Sequence, residues 1–196
     1  ELLARMIPPG CIGISESGIA NAPQGIRLRN LGYRGVLIGE SFMRADDPGK
    51  AVAEFVGSVG GIRVKICGVT RLEDAVAAVE CGASAVGFIF VPGSPRRVEP
   101  KAVREIVRNI PPGVETVGVF VNAKREEILH TCAEAGVTTA QIHGEEPPST
   151  LAGLPIPAYK AFRVDEGFDP AELLNYPGPR YLLDAPKGGR PFDWKI

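Results

Sequence analysis

Eight short runs of apolar and β-branched residues recur along the 196-residue chain, and they constrain its fold more than any other feature. Their starting points lie about 19 to 31 residues apart, which is the length of one strand–helix unit. Nearly continuous apolar character in such short runs is typical of parallel strands buried on both faces. The runs are CIGIS (11–15), GVLIG (35–39), IRVKIC (62–67), AVGFIF (85–90), TVGVFV (116–121), TAQIH (139–143), AYKAF (158–162) and YLLD (181–184).

Helix signals occupy the segments between these runs. TRLE at 70–73 has the pattern of a capping box, and Asp47-Pro48 and Asp169-Pro170 each place an N-cap Asp before a helix-starting Pro. Eight alternating strands and helices predict an α/β protein with a (β/α)₈ (TIM) barrel. An open doubly wound sheet is less favoured, because no glycine fingerprint follows a strand. The chain is nevertheless shorter than the roughly 250 residues typical of the barrel.

Composition excludes several classes of partner. The 22 basic and 23 acidic residues give a net charge of −1 without a basic stretch, so we expect no nucleic-acid partner. The chain has no apolar run long enough to span a membrane, and its first twenty residues lack a secretory signal, which predicts a cytoplasmic protein. Two histidines and four cysteines without C-x-x-C spacing predict free thiols, no metal site and no cofactor. The oligomeric state is open.

One composition break divides the chain. GSVGG at 57–61 follows a predicted helix and precedes a predicted strand, which suggests a flexible linker and a boundary. The chain begins with Glu1 and ends inside what reads as an element after a strand, so it looks like a piece of something longer.

Polar residues follow several of the predicted strands. In a (β/α)₈ barrel, chemistry takes place at the carboxyl ends of the strands, whereas the strand bodies form packed core. Strand ends are often polar because they meet solvent. The combination of a thiol, carboxylates and a loop arginine is therefore stronger evidence for a functional site than the number of polar residues. The positions concerned are Glu16, Glu40, Cys67, Arg96, Asn122, His143 and Asp184.

Five motifs from about 62 to 196 closely resemble phosphoribosylanthranilate isomerase of tryptophan biosynthesis. They are KICGVT, GFIFVPGSPRRV, VGVFVN, QIHGEE and YLLD followed by GG and FDW, and they occur in the family's order. The family has eight strands, and this stretch matches its first six βα units. The resemblance implies an isomerase that converts an aminoaldose into an aminoketose by general acid–base catalysis.

Residues 1–56 resemble a different family. CIGISESGI and GVLIGESFMRADDPGKAV look like the seventh and eighth βα units of indole-3-glycerol phosphate synthase, which catalyses the next step and occurs fused ahead of the isomerase. The resemblance therefore implies an internal piece of a bifunctional fusion, with residues 57–61 as the linker. Two strands from one barrel and six from the next make eight, in the correct cyclic order. We expect them to close into one hybrid barrel.

The isomerase resemblance assigns roles to five residues. Cys67 is implied as the general base and Asp184 as the general acid. Arg96 is implied as the group that holds the anthranilate carboxylate, for which a guanidinium fork is well suited. Gln141 and His143 are implied as inward-facing residues of the same pocket, although His143 could equally orient a loop. Strand parity also places Lys65 on the inward face with Cys67, where its charge would favour the thiolate.

The phosphate site is where the chain departs from the isomerase family. The family holds phosphate with its seventh and eighth strands, which this chain lacks, and the glycine loop before FDW is shorter here. The synthase resemblance implies that Ser17, Gly18, Gly39 and Glu40 form a phosphate site instead. It implies no indole-forming activity, because the catalytic lysines of the synthase lie on earlier strands.

Two other functions stay open at this point. A non-catalytic phosphate-binding fragment of the fusion is the first alternative, because the missing strands supply remote binding energy. Another sugar-phosphate isomerase barrel is the second, although such enzymes use two aspartates where this chain has Cys67.

Overall fold

The architecture was obtained as a computed structural model. It describes residue 4 and residues 7–16, 18–165 and 167–185, apart from the side chains of residues 40 and 43. FDW and the shortened glycine loop lie outside the described residues, as does Ser17.

Eight parallel strands form a closed barrel in sequence order, which confirms the predicted fold. Each predicted run contains one strand, with bounds that differ by one or two residues. The strands are β1 (Ile12–Glu16), β2 (Gly35–Ile38), β3 (Arg63–Cys67), β4 (Ala85–Ile89), β5 (Glu115–Phe120), β6 (Thr139–Ile142), β7 (Ala158–Arg163) and β8 (Arg180–Asp184).

The first two strands complete the barrel formed by the other six. β1 pairs with β8, with Ile14 opposite Leu182, and β2 pairs with β3, with Leu37 opposite Lys65. The synthase-like strands therefore occupy the two places that the isomerase-like strands leave open, as the hybrid-barrel prediction requires.

Helices follow most of the strands on the outside of the barrel. The α-helices are α1 (Ala22–Asn30), α2 (Glu40–Met43), α3 (Pro48–Val59), α4 (Leu72–Glu80), α5 (Pro100–Val107), α6 (Arg125–Ala135) and α7 (Pro148–Leu151), and Pro170–Asn175 form a 3₁₀ helix. The longest described helix, α3, has 12 residues, and no described helix is long and apolar enough to cross a membrane.

Two of the three predicted helix starts are confirmed. The Asp47 carboxylate accepts the Lys50 amide at 2.9 Å, and that of Asp169 accepts the Ala171 amide at 2.9 Å. The capping box at Thr70 is wrong, because α4 has Arg71 at its N-cap without a side-chain cap. The Arg71 guanidinium instead pairs with Asp74 at 2.8 Å.

The stretch interpreted as a linker is mostly helical. Residues 57–59 form the last turn of α3, and Val59 is fully buried. Only Gly60 and Gly61, with φ of 37° and 70°, make the turn into β3. A glycine-rich composition did not reveal that Val59 would anchor the helix to the core.

The barrel interior changes in character along its axis. At the amino ends of the strands, Glu115 accepts hydrogen bonds from Thr139 at 2.7 Å and Arg180 at 2.8 Å. Burial alone would raise the pKa of Glu115, but these donors hold it below its usual range. Closer to the carboxyl ends of the strands, Leu37, Val117 and Leu182 pack into a small apolar cluster. The larger core lies between strands and helices.

Candidate active site

The carboxyl ends of the strands bring four of the predicted site residues together inside the barrel. Cys67 ends β3, Asp184 ends β8, and Gln141 lies on β6 with His143 just beyond it. The side chains of His143 and Asp184 are 15% and 16% exposed, whereas Gln141 is fully buried. Gln141, His143 and Asp184 therefore form a recessed polar cluster next to Cys67, which also packs in the apolar cluster.

Cys67 is buried beside Lys65, as strand parity predicts. Burial raises the pKa of the thiol, and the carboxylate of Glu16 adds to this effect. The charges of Lys65 and Arg96 act in the opposite direction but do not outweigh burial. Both side chains fit because β4 carries Gly87, where a Cβ would lie 2.9 Å from the Cys67 sulfur.

Lys65 anchors a chain of hydrogen bonds that reaches Asp184. The Lys65 ammonium donates to Gln141 Oε1, which also accepts the hydroxyl of Tyr159 at 3.0 Å. Gln141 Nε2 lies 3.0 Å from His143 Nδ1, and His143 Nε2 lies 3.2 Å from Asp184 Oδ2.

This chain fixes the proton on His143. Lys65 carries only donors, so the oxygen of the Gln141 amide faces it and the nitrogen faces His143. His143 Nδ1 is then an acceptor, and Nε2 carries the proton and donates to Asp184. Lys65 stays charged although burial alone would lower its pKa, because Cys67, Tyr159 and Glu16 raise it above its usual value.

Glu16, at the end of β1, lies beside His143 and Asp184. Its Oε2 lies 3.9 Å from His143 Nδ1, and one ligand atom from each of Glu16, His143 and Asp184 falls within 4.8 Å of the others. Burial is the main cause that raises the pKa of Glu16, and the charge of the nearby Asp184 adds to this effect. Two carboxyl groups this close favour a proton on the pair.

Arg96 lies over the ends of β2 and β3. Its Nη1 donates to the carbonyl of Cys67 at 3.2 Å, and its guanidinium packs against Gly68 and Gly39. A Cβ at Gly39 would lie 2.8 Å from the Cys67 carbonyl oxygen, so this position requires a glycine. The predicted anion-binding arginine is thus at the rim, beside the candidate base.

The predicted phosphate residues are only partly described. Gly18 follows β1 with φ of 69°, and Gly39 follows β2. The Ser41 hydroxyl donates to the carbonyl of Ile19 at 3.2 Å and so joins the loops after these two strands. Ser17 and the side chain of Glu40 lie outside the described residues, and a phosphate site here stays a prediction.

A cavity of about 590 Å³ opens over the ends of β5 to β8. Asn122, His143 and Asp184 line it together with Lys160 and Arg163. It is large enough for a small-molecule substrate. Sequence reasoning did not assign a role to Tyr159, which the alternation of AYKAF would have placed on the inward face.

The fold and the site define a (β/α)₈-barrel protein with a buried thiol and a carboxyl group at the carboxyl ends of its strands. A family model described as N-(5'phosphoribosyl)anthranilate (PRA) isomerase matches residues 64–196, and one for indole-3-glycerol phosphate synthase matches residues 1–55. The chain belongs to the PRA isomerase family.

Individual relatives agree with this assignment. The chain is 44% identical over 143 residues to N-(5'-phosphoribosyl)anthranilate isomerase of Nitrosomonas eutropha, and the match covers 69% of this chain and 69% of that protein. The isomerase structure from Thermus thermophilus is 45% identical, with a TM-score of 0.61, and the match covers 65% of this chain and 64% of that one. The chain therefore spans about two thirds of its relatives' length.

A third relative was solved with a ligand. It is a phosphoribosyl anthranilate isomerase in complex with reduced 1-(o-carboxyphenylamino)-1-deoxyribulose 5-phosphate. It is 42% identical to this chain, with a TM-score of 0.59, and the match covers 64% of this chain and 66% of that one.

Proposed function

We propose that this chain isomerises N-(5-phosphoribosyl)anthranilate to 1-(o-carboxyphenylamino)-1-deoxyribulose 5-phosphate, as an intramolecular oxidoreductase of tryptophan biosynthesis in the cytoplasm. Residues 1–56 supply a synthase-derived βα pair, 57–61 connect it, and 62–196 supply the isomerase part. The observation that carries the proposal is the placement of Cys67 and Asp184 at strand ends of one closed barrel, with Lys65, Gln141 and His143 between them.

The reaction needs two proton transfers at the sugar. Asp184 gives its proton to the ring oxygen as the C1–O bond breaks and the nitrogen lone pair forms a C=N bond. Cys67 then removes the proton from C2, the C2–H electron pair forms the C1=C2 bond of an enolamine, and the π electrons of the C=N bond return to the nitrogen. Moving the C2 hydroxyl proton to C1 completes the aminoketose.

The surrounding groups suit these steps. Burial and the neighbouring Asp184 raise the pKa of Glu16. Two carboxyl groups this close favour one proton shared by the pair, and Asp184 needs such a proton to act as the acid. Lys65 opposes the effect of burial on the Cys67 thiol, which the base needs. No cofactor enters any step.

The substrate's two anions define its orientation. Arg96, at the rim beside Cys67, binds the anthranilate carboxylate through a guanidinium fork. The phosphate binds at the loops after β1 and β2, where Ser17, Gly18, Gly39 and Glu40 replace the grip that the isomerase family places on its own last two strands.

The test is turnover, followed as loss of anthranilate fluorescence. We expect Cys67→Ala and Asp184→Asn each to lower kcat by about 10²- to 10⁴-fold, since each removes one proton-transfer group. Cys81→Ala and Asp46→Asn, on the outside of the barrel, control for loss of a thiol or a carboxylate.

Full activity in either site variant would contradict the assignment. A folded wild-type chain that binds the reduced product analogue but turns nothing over would instead favour the binding fragment. We expect no indole formation, and ring closure by this chain would overturn that expectation.

A further inference from the structure

Lys160, on β7, is a buried lysine that the proposed proton transfers do not use. Its side chain is 5% exposed. Tyr159 and Ala161 pack inside the barrel and Phe162 packs in the outer core, so strand alternation directs Lys160 to the outer face of β7. Burial lowers the pKa of its ammonium, and the charge of Glu146 opposes this effect. Burying such a group is costly unless it is paired, so its partners indicate its role.

The Lys160 ammonium binds the turn that follows β6. It donates to the carbonyl of Gly144 and, at 2.9 Å, to the carbonyl of Ala161. Its Nζ lies 4.0 Å from Oε2 of Glu146, and the same oxygen accepts the Gly144 amide at 2.9 Å. Lys160 and Glu146 therefore bind the carbonyl and the amide of the residue that comes directly after His143.

Asn122 holds the same turn from the neighbouring loop. Its Oδ1 accepts the amide of Glu145 at 2.8 Å. A Cβ at Gly144 would lie 2.5 Å from the Asn122 amide nitrogen, so the two loops are in direct contact. On the other side, the His143 amide donates to the carbonyl of Phe120 at 2.8 Å. The backbone of His143 is thus fixed both before and after its side chain.

The fixed turn determines where the imidazole of His143 lies. Its Nε2 is 3.2 Å from Oδ2 of Asp184, so a small displacement would break this hydrogen bond. The bond limits the rotation of the Asp184 carboxyl group. β7, which carries Lys160, pairs with β6 on one side and with β8 on the other, so it lies between the strands that lead to His143 and Asp184.

We propose that Lys160 is a positioning residue for the isomerisation. It holds the turn after β6 so that His143 keeps the Asp184 carboxyl group oriented for proton transfer to the sugar. Lys160 acts through the Gly144 carbonyl and touches no reacting atom. The inference rests on the proposed function, because that function makes Asp184 the acid.

Two measurements on the whole chain separate this role from a purely structural one. The first is kcat and KM of Lys160→Met, alone and combined with His143→Ala. The second is NMR of the His143 imidazole, which does not depend on turnover. His130 is the other histidine of the sequence, and its side chain is 82% exposed, so it provides the reference signal for an imidazole in solvent.

Arg125→Met is the matched control. The Arg125 guanidinium also binds backbone carbonyls of one turn, those of Ala152 at 2.8 Å and Gly153 at 2.6 Å. That turn precedes β7 and so lies at the amino end of the strand, away from His143. We expect Arg125→Met to lower stability but to leave kcat and the His143 signal unchanged.

We expect Lys160→Met to lower kcat by about 10- to 100-fold with KM unchanged, because a displaced acid is slower although the substrate still binds. In the His143→Ala background the same substitution should lower kcat no further, since the path through His143 is already broken. The Nε2 proton of His143 should exchange slowly with water in the wild-type chain and rapidly in Lys160→Met.

Asn122→Gly is a second variant that acts on the same turn. Asn122 is exposed and has φ of 55°, so glycine keeps the backbone conformation and removes only the acceptor for the Glu145 amide. We expect a loss of kcat and a change in the His143 signal in the same direction as for Lys160→Met. If Lys160→Met does not fold, this variant decides the test.

An equal loss of kcat from Lys160→Met with and without His143 would overturn the proposal, because Lys160 would then act on the site as a whole. An unchanged His143 signal in folded Lys160→Met, or in Asn122→Gly where that variant decides, would also overturn it. A folded wild-type chain without turnover would contradict the proposed function itself, whereas the NMR comparison would still show whether Lys160 positions His143.

Discussion

Among the single residues of the site, Lys65 is the one that connects the candidate base to the candidate acid. Its charge lowers the pKa of the Cys67 thiol against the effects of burial and Glu16. Its ammonium also orients Gln141, and through Gln141 the proton of His143. One side chain thus serves an electrostatic and a geometric purpose.

We expect Lys65→Met to move the rising limb of the pH–rate profile to higher pH. Without the ammonium, the Cys67 pKa rises further, so less thiolate exists at neutral pH. The value of kcat/KM at neutral pH then falls by about tenfold for each pH unit by which the limb moves. Arg96 and the Gly68 amide still face the thiol, which bounds the displacement. The measurement is kcat/KM against pH.

Tyr159→Phe is the control for this variant. It removes the hydroxyl that shares Gln141 Oε1 but keeps the Lys65 charge. The rising limb should stay near its wild-type position. An equal displacement in both variants would show that Lys65 acts through packing and not through its charge.

Sequence reasoning located these residues to different degrees. Cys67 and Asp184 follow from the motifs, and the inward direction of Lys65 follows from the two-residue period of a strand. The sequence does not show which side chains form hydrogen bonds with each other. Gln141, for example, accepts from Lys65 although the two residues are 76 positions apart. The proximity of Glu16 to Asp184 likewise does not follow, because it depends on the pairing of β1 with β8.

At the scale of elements, the sequence pattern located strands better than helix ends. Buried parallel strands leave continuous apolar runs, so all eight were found. Helix starts depend on single hydrogen bonds, so Arg71, which binds Asp74, displaced the predicted cap at Thr70. The prediction of a flexible linker at Gly57–Gly61 was wrong for a similar reason. The burial of Val59 stabilises the last turn of α3 in spite of the low helix propensity of glycine.

Two Gly→Ala substitutions should have opposite effects on the helices. Gly57 lies inside α3 with open space around its Cα, so Gly57→Ala should raise the free energy of unfolding by about 0.5–1 kcal/mol. Gly136 ends α6 with φ of 73°, so Gly136→Ala should lower it by about 1 kcal/mol or more. Urea unfolding checks both, and changes of the same sign would contradict the α3 boundary.

At the scale of the whole molecule, the barrel closes through two seams between synthase-like and isomerase-like strands. The β1–β8 seam pairs Ile14 with Leu182, and the β2–β3 seam pairs Leu37 with Lys65. Leu37 also packs inside the barrel against residues of the isomerase part, including Val117 on β5. Since the two parts share a core, we expect them to unfold together.

We therefore expect Leu37→Ala to destabilise both parts of the chain. Deleting a buried leucine side chain lowers the free energy of unfolding by about 2–5 kcal/mol. If the barrel is one cooperative unit, the protection of every amide that exchanges through global unfolding falls by the same amount. Native-state hydrogen exchange should show equal loss of protection in β2 and in β5, which lies across the barrel. Loss confined to β1 and β2, with β5 unchanged, would mean that the first two strands are held only as a separate, weaker unit.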